Sequence, residues 1–177
     1  MMTTAQVLDL VDAWETAGIP VWVDGGWGVD ALLEEQTREH QDLDIVLRCA
    51  DRAKFDDLMD GLGFALFRDD GPANWVLTDP EGRMVDVHLA DMEATLIDPR
   101  GIVVYGEKGL PYEMGSLEGM GRIGGREVRC CGARFQFEWH FADFAMTEAQ
   151  RRDAELLAER FGFEWPGIEG KGRECDG

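Results

Sequence analysis

Hydrophobic and polar positions follow two periods along this chain. Val7, Leu8, Leu10, Val11 and Trp14 recur at helical spacing, Thr3 or Thr4 stands where an N-cap belongs, and Gly18 and Pro20 end the run. Val21-Trp22-Val23 is a short apolar stretch suited to a buried strand, closed by Gly25-Gly26. Gly28 through Glu35 then predicts a short helix with Val29, Leu32 and Leu33 inward. Asp42-Leu43-Asp44-Ile45-Val46-Leu47 has the composition and partial alternation of a strand. Asp51 to Leu62 predicts an amphipathic helix capped by Asp51, with Phe55, Leu58 and Met59 inward.

The second half is richer in short strands. Phe64 to Phe67, Asn74 to Leu77 and Arg83 to Leu89 predict three, the last two joined by the turn Asp79-Pro80-Glu81-Gly82. Ala94 to Ile97 and Ile102 to Tyr105 predict a second hairpin around Asp98-Pro99-Arg100-Gly101. Gly106 to Gly125 is glycine-rich and reads as loop, followed by a strand at Glu127 to Cys130. Ala133 to His140 and a helix opened by Thr147, with Gln150 as capping-box partner and Gly162 as its stop, close the fold. The polar segment 166–177 is expected to be a flexible tail.

Helices mixed with several hairpins imply an α+β fold, a mixed sheet flanked by helices with closing C-terminal helices. Too many connections are too short for a doubly wound parallel sheet. A single domain over residues 1–165 is expected, with the catalytic strands within 21–105 and acceptor-side loops and helices in 106–165.

Charge narrows the partners. Thirty-six acidic residues against 17 basic ones give a net charge of −19. Such a surface repels nucleic acid and anionic membranes and attracts cationic small molecules. No apolar run is long enough to span a bilayer, and the acidic N-terminus lacks the pattern of a secretory signal. Cys49, Cys130, Cys131 and Cys175 fit neither a zinc knuckle nor a disulfide framework, so reduced thiols and a cytoplasmic location are expected.

The candidate chemistry sits on Asp42 and Asp44. Residues two apart on a strand share a face, so both carboxylates project together while Leu43 and Ile45 point into the core. Mutual repulsion calls for a cation between them, and hard oxygen donors suit Mg²⁺. Gly25 and Gly26 let the backbone approach a ligand, offering amides to phosphate oxygens beside a helix N-terminus. A third carboxylate, Asp86, shares a strand face with Met84 and His88, opposite Val85, Val87 and Leu89.

Taken in order, Gly25-Gly26-Trp27-Gly28-Val29-Asp30-Ala31-Leu32-Leu33, Gln36-Thr37-Arg38-Glu39-His40-Gln41-Asp42-Leu43-Asp44 and Arg83-Met84-Val85-Asp86-Val87-His88 resemble the antibiotic nucleotidyltransferases. The nearest groups are the aminoglycoside 2″-adenylyltransferase-like and small lincosamide nucleotidyltransferases of the DNA polymerase β-like superfamily. The resemblance runs to about residue 165 and implies that superfamily's fold. It implies transfer of AMP from ATP to a hydroxyl of a small antibiotic, most readily an aminoglycoside, with release of pyrophosphate. Asp42, Asp44 and Asp86 would bind Mg²⁺ (two ions), with Asp86 as ligand or as proton acceptor. Gly25, Gly26, Arg38 and His40 would meet the nucleotide, and His88 would support Asp86. The partners implied are a nucleoside triphosphate and a small hydroxylated, cationic acceptor, and a homodimer is compatible with this. The segment Trp139-His140-Phe141-Ala142-Asp143-Phe144-Ala145-Met146 departs from the His-x-Gly-Tyr-type stretch of the family, which leaves the acceptor open.

Rival readings are a lincosamide or other small-molecule acceptor, and a retired nucleotide-binding module without catalysis. A zinc set of His40, His88 and His140 is disfavoured, because no helical histidine pair exists. Trp27 fits a base-stacking role or core packing. Tyr105, Trp75 and Trp139 are candidates for an acceptor pocket, with Asp91, Glu93, Glu107, Glu113 and Glu138 for its acidic rim.

Overall fold

The computed structural model describes residues 1–142 and 146–165, the side chains of 140–142 excepted. The expected tail at 166–177, Cys175 within it, residues 143–145 and the His140 side chain lie outside the described residues.

Helix α1 (Thr4–Thr16) is entered through a capping box in which Thr3 and Gln6 satisfy each other's backbone amides. Strand β1 (Val21–Val23) leads into α2 (Gly25–Leu33), which starts three residues earlier than its hydrophobic periodicity suggests. The reason is Asp24, whose carboxylate accepts the Gly25 N–H at 2.9 Å and caps the helix. Glu34 ends it in the left-handed region. Strand β2 (Leu43–Arg48) leaves Asp42 just ahead of the regular strand. A 3₁₀ turn (Cys49–Asp51) precedes α3 (Arg52–Gly61), and Asp51 makes no cap bond because Arg48 takes its carboxylate at 2.5 Å.

Strands β3 (Ala65–Asp69) and β4 (Asn74–Thr78) precede β5, which runs unbroken from Met84 to Ile97. The two strands expected over that span are thus one. A register irregularity between Asp91 and Thr95, where β6 (Val103–Gly106) pairs with it, interrupts the alternation and hides the continuity. The glycine-rich stretch after β6 is not all loop either: β7 (Gly119–Ile123) forms a hairpin with β8 (Arg126–Cys130). Its glycines serve close packing. A Cβ on Gly121 would stand 2.3 Å from the Ala31 carbonyl oxygen of α2. Helices α4 (Ala133–Ala142) and α5 (Glu148–Phe161) complete the chain, α5 with the expected Thr147–Gln150 capping box and Gly162 in the left-handed region.

The fold is α+β, with strand order β3-β4-β5-β2-β1-β8-β7 and β6 on β5. The sheet is mixed: β2–β5 and β1–β8 are parallel, the other pairs antiparallel. One face packs on the helices through Leu43, Ile45 and Leu47 of β2 and Val85, Val87 and Leu89 of β5, against Val7, Trp14, Phe55 and Leu157. The other face carries a smaller cluster of Val46, Ala90, Tyr105, Tyr112, Leu117 and Cys131. Period-two geometry therefore puts Asp44 and Asp86 on the face away from the helical core. No helix among the described residues is long and apolar enough to cross a membrane.

Candidate active site

The parallel register of β2 and β5 aligns Asp44 with Asp86 and Val46 with His88. Asp44, Asp86 and His88 each bring a ligand atom within 4.8 Å of the others, the metal-competent cluster among the described residues. Asp42 is not a member of this cluster, although its charge is felt by Asp44. Gly25 closes over the site: its φ is +55°, and a Cβ there would lie 2.1 Å from Asp44 Oδ2. A side chain at that position would displace the carboxylate.

Asp24, which sequence reasoning passes over, is the hub behind the cluster. Besides capping α2, it accepts hydrogen bonds from Gln136 Nε2 and from the Tyr112 hydroxyl, both at 2.9 Å, and lies 3.7 Å from His88 Nδ1. His88 in turn meets Asp86 at 3.3 Å, and Tyr112 at 3.0 Å. Asn74 donates to Asp86 at 2.6 Å, and Arg68 stands 3.6 Å away. The only advance signals were a polar residue at the end of an apolar strand and a glutamine amid the aromatic run of α4.

The electrostatics separate the three carboxylates. Burial together with the charges of Asp42 and Asp24 pushes Asp44 up to about 7. Burial opposes ionisation of Asp86 and Asp24 too, but hydrogen bonds and charge from His88 overcome it and hold both below the ordinary range. Burial alone would lower His88, yet its two carboxylate partners raise it to about 10. His88 is thus an imidazolium between Asp24 and Asp86. Burial and the nearby Asp24 keep the Tyr112 phenol protonated, as a donor.

The other expected nucleotide residues fall into two kinds. Gly26 sits in the first turn of α2, where an amide has no carbonyl one turn behind to bond. The Gly25 amide, by contrast, is committed to Asp24. Arg38 comes alongside Gly26, where a Cβ would stand 2.7 Å from Arg38 Nη2. His40 is only 3% exposed, with Nε2 2.5 Å from Asp30 Oδ2 and its ring 4.9 Å from Trp27. It braces the underside of Gly26, where a Cβ would meet its Nδ1 at 2.3 Å, and so stands behind the surface that a nucleotide would touch. The three-histidine set does not form around His40 and His88, since each is bound by different carboxylates.

Trp27 is core. Trp75 also packs on the helical face, under Arg52, and so does not line the site. Tyr105 belongs to the cluster on the site face, and Trp139 is 58% exposed, stacked on Phe135. Of the acidic rim, Asp91 is buried, Glu93 and Glu107 are exposed, Glu113 pairs with Arg100 at 3.1 Å and Glu138 with Arg134 at 3.6 Å. Glu113, Glu118 and Glu138 line a cleft of about 380 Å³ against Phe135, whose ring is 5.3 Å from that of Tyr112. Cys49, Cys130 and Cys131 are free thiols.

Comparison with known proteins supplies the family. A lincosamide resistance protein of Staphylococcus haemolyticus is 30% identical over 87 residues, 49% of this chain and 54% of that protein. The chain thus matches only about half the length of that relative. Among solved structures, the lincomycin-bound lincosamide antibiotic adenylyltransferase LnuA superposes with a TM-score of 0.73 at 22% identity, covering 88% of this chain and 96% of the other. ANT(2″)-Ia in complex with adenylyl-2″-tobramycin gives 0.68 at 17% identity, over 90% and 89%. Those two likenesses show the nucleotidyltransferase fold. The model of the aminoglycoside-2″-adenylyltransferase family matches residues 6–157, and the chain belongs to that family.

Proposed function

We propose that this chain is a divalent-metal-dependent nucleotidyltransferase that moves AMP from ATP to a hydroxyl of a small antibiotic and releases pyrophosphate. The observation that carries the reading is the in-register pair Asp44–Asp86, beside the glycine-started helix α2. The donor set fits Mg²⁺: two carboxylates within reach of each other, with Asp42 close enough to raise the charge density, supply hard oxygen ligands. Asp44 and Asp86, joined by Asp42, would hold the metal. Bound there, Mg²⁺ would neutralise phosphate charge and favour in-line displacement, whether as one ion or two.

The chain's own residues account for the rest. The first turn of α2 at Gly26 and the guanidinium of Arg38 offer N–H donors to the phosphates, while His40 fixes the loop beneath them. In the transfer the acceptor oxygen bonds the α-phosphorus, the bond from that phosphorus to the bridging oxygen breaks, and pyrophosphate leaves. The hydroxyl proton passes to a carboxylate oxygen of Asp86. That group is kept ionised by His88, Asn74 and Arg68, so it is ready to accept at neutral pH.

The net charge of −19 favours a polycationic aminoglycoside as acceptor. The match to a lincosamide resistance protein supports a lincosamide as the second reading. Against retirement from catalysis, a site without chemistry has no physical need to hold Asp44 in register with Asp86. The reading treats residues 1–165 as one catalytic domain and, from the free thiols, places it in a reducing, cytoplasmic setting. The deciding experiment is pyrophosphate release from ATP and Mg²⁺ against a panel that includes tobramycin and lincomycin. Release dependent on an antibiotic carries the proposal. No release with any member, together with no ATP binding by calorimetry, rejects it.

A further inference from the structure

Asp153 is an unexpected residue to find on the buried face of α5. Its neighbours on that face are Ala154, Leu157 and Ala158, yet it is a carboxylate only 1% exposed. An ionised group in such a place is costly unless paired, and an apolar residue would dock the helix more cheaply. Its partner is Arg38, 115 positions away, gripped through Nε at 3.3 Å and Nη2 at 2.8 Å. The Arg38 side chain keeps 34% exposure, and its Nη2, besides bonding Asp153, comes alongside Gly26 at the start of α2.

The loop that carries Arg38 is pinned on both sides. Asp30 accepts from the Thr37 amide at 3.0 Å and hydroxyl at 2.7 Å, and it holds His40. Gln36 donates to the Arg38 carbonyl at 3.0 Å, and the Met2 amide bonds the His40 carbonyl at 3.0 Å. Nη1 makes one long contact, 3.4 Å to the Glu39 carbonyl. Among the described residues this leaves N–H groups on Nη1 and Nη2 for an anion. A guanidinium fork held along one edge by a buried carboxylate presents its remaining donors in a fixed plane, the geometry that phosphate recognition needs.

We infer that Asp153 is a positioning residue for triphosphate binding: through its grip on Arg38 it makes the closing helix α5 part of the nucleotide site. The inference rests on the nucleotidyltransferase reading and assigns a role to a residue outside the acidic cluster. Pairing alone would also be satisfied by a latch that merely fastens α5, and the two roles differ in what they move.

The test uses the full chain with Mg²⁺ and two probes, ATP and inorganic tripolyphosphate, titrated by calorimetry. Asp153→Asn, Arg38→Gln and the double variant are compared with the unaltered protein, and each is melted to follow stability. For the positioning role, Asp153→Asn weakens both probes in parallel by about tenfold, and the double variant binds no worse than Arg38→Gln alone. Asp153→Glu, which keeps the charge but shifts it, falls between, and serves as the reporter should Asp153→Asn fail to fold. Unchanged affinity with a lowered melting temperature would overturn the inference in favour of a latch, and so would losses that simply add. Failure of the unaltered protein to bind either probe would instead defeat the functional reading beneath it.

Discussion

Asp44 and Asp86 face each other across adjacent parallel strands, paired residue to residue in the register of β2 and β5. Neighbouring strands lie about 4.8 Å apart, so two like charges at matched positions repel unless a cation joins them. Asp44→Asn and Asp86→Asn each keep the side-chain shape while removing one charge. Each is expected to lower kcat by about a thousandfold or more while the circular dichroism spectrum stays that of the unaltered protein. Retained turnover in the double variant would remove the metal site from the mechanism.

The same pair makes stability depend on pH in an unusual direction. Asp44 has its folded pKa raised from 3.8 to about 7 by burial and by the charges of Asp42 and Asp24. Below 3.8 the group is protonated whether the chain is folded or not, and its contribution is fully present. Between 3.8 and 7 the unfolded chain ionises first, so that contribution is lost as pH rises. Asp44→Asn should therefore melt higher than the unaltered metal-free protein at pH 8 and not at pH 3.5, and each 1 kcal/mol gained should raise the midpoint by about 2–4 °C. Added Mg²⁺ needs the ionised form, so it should stabilise the unaltered protein more at pH 8 than at pH 6 and leave Asp44→Asn nearly unmoved. Melting curves across pH, with and without Mg²⁺, check both.

Much of this site is legible in the sequence because strands alternate with a period of two. Leu43 and Ile45 against Asp44, and Val85 and Val87 against Asp86, already assign sides of the sheet. The pairing of Asp44 with Asp86 is not legible, since α3, β3 and β4 intervene and periodicity carries no register between distant strands. Asp24 and Asp153 escape for another reason. An Asp before Gly-Gly reads as part of a turn, and an Asp on an amphipathic helix reads as a solvated residue; only the folded chain buries both. Asp42 illustrates the converse, since alternation groups it with Asp44 while the structure ends the strand between them.

Tyr112 ties the segment between β6 and β7 to the acidic cluster through Asp24. Tyr112→Phe removes one donor from a buried carboxylate and should cost about 1–2 kcal/mol in urea unfolding, with no change in the far-ultraviolet spectrum. Asp24→Asn takes away one of the two carboxylates that hold His88 as a cation. The His88 pKa, followed by NMR of the imidazole protons, should then fall from its value of about 10. A His88 titration identical to that of the unaltered protein would mean that Asp86 alone sets it.

Gly121 tests why the glycine-rich stretch after β6 contains a strand. Nothing in its backbone angle demands glycine; the demand comes from α2, whose Ala31 carbonyl oxygen lies 2.3 Å from where a Cβ would be. Backbone cannot rotate aside as a side chain can, so Gly121→Ala must push β7 and α2 apart. Overpacking of this kind costs about 1–3 kcal/mol. Because α2 also carries Gly25 against Asp44, the displacement should reach the metal site and weaken Mg²⁺ binding as well as stability. Gly82, in a turn with open space around its Cβ position, provides the contrast. Its φ of +79° strains an alanine, so Gly82→Ala should cost stability through the backbone alone and leave Mg²⁺ affinity as it was. Equal Mg²⁺ affinity in both variants would show that the contact between β7 and α2 does not govern the position of Gly25.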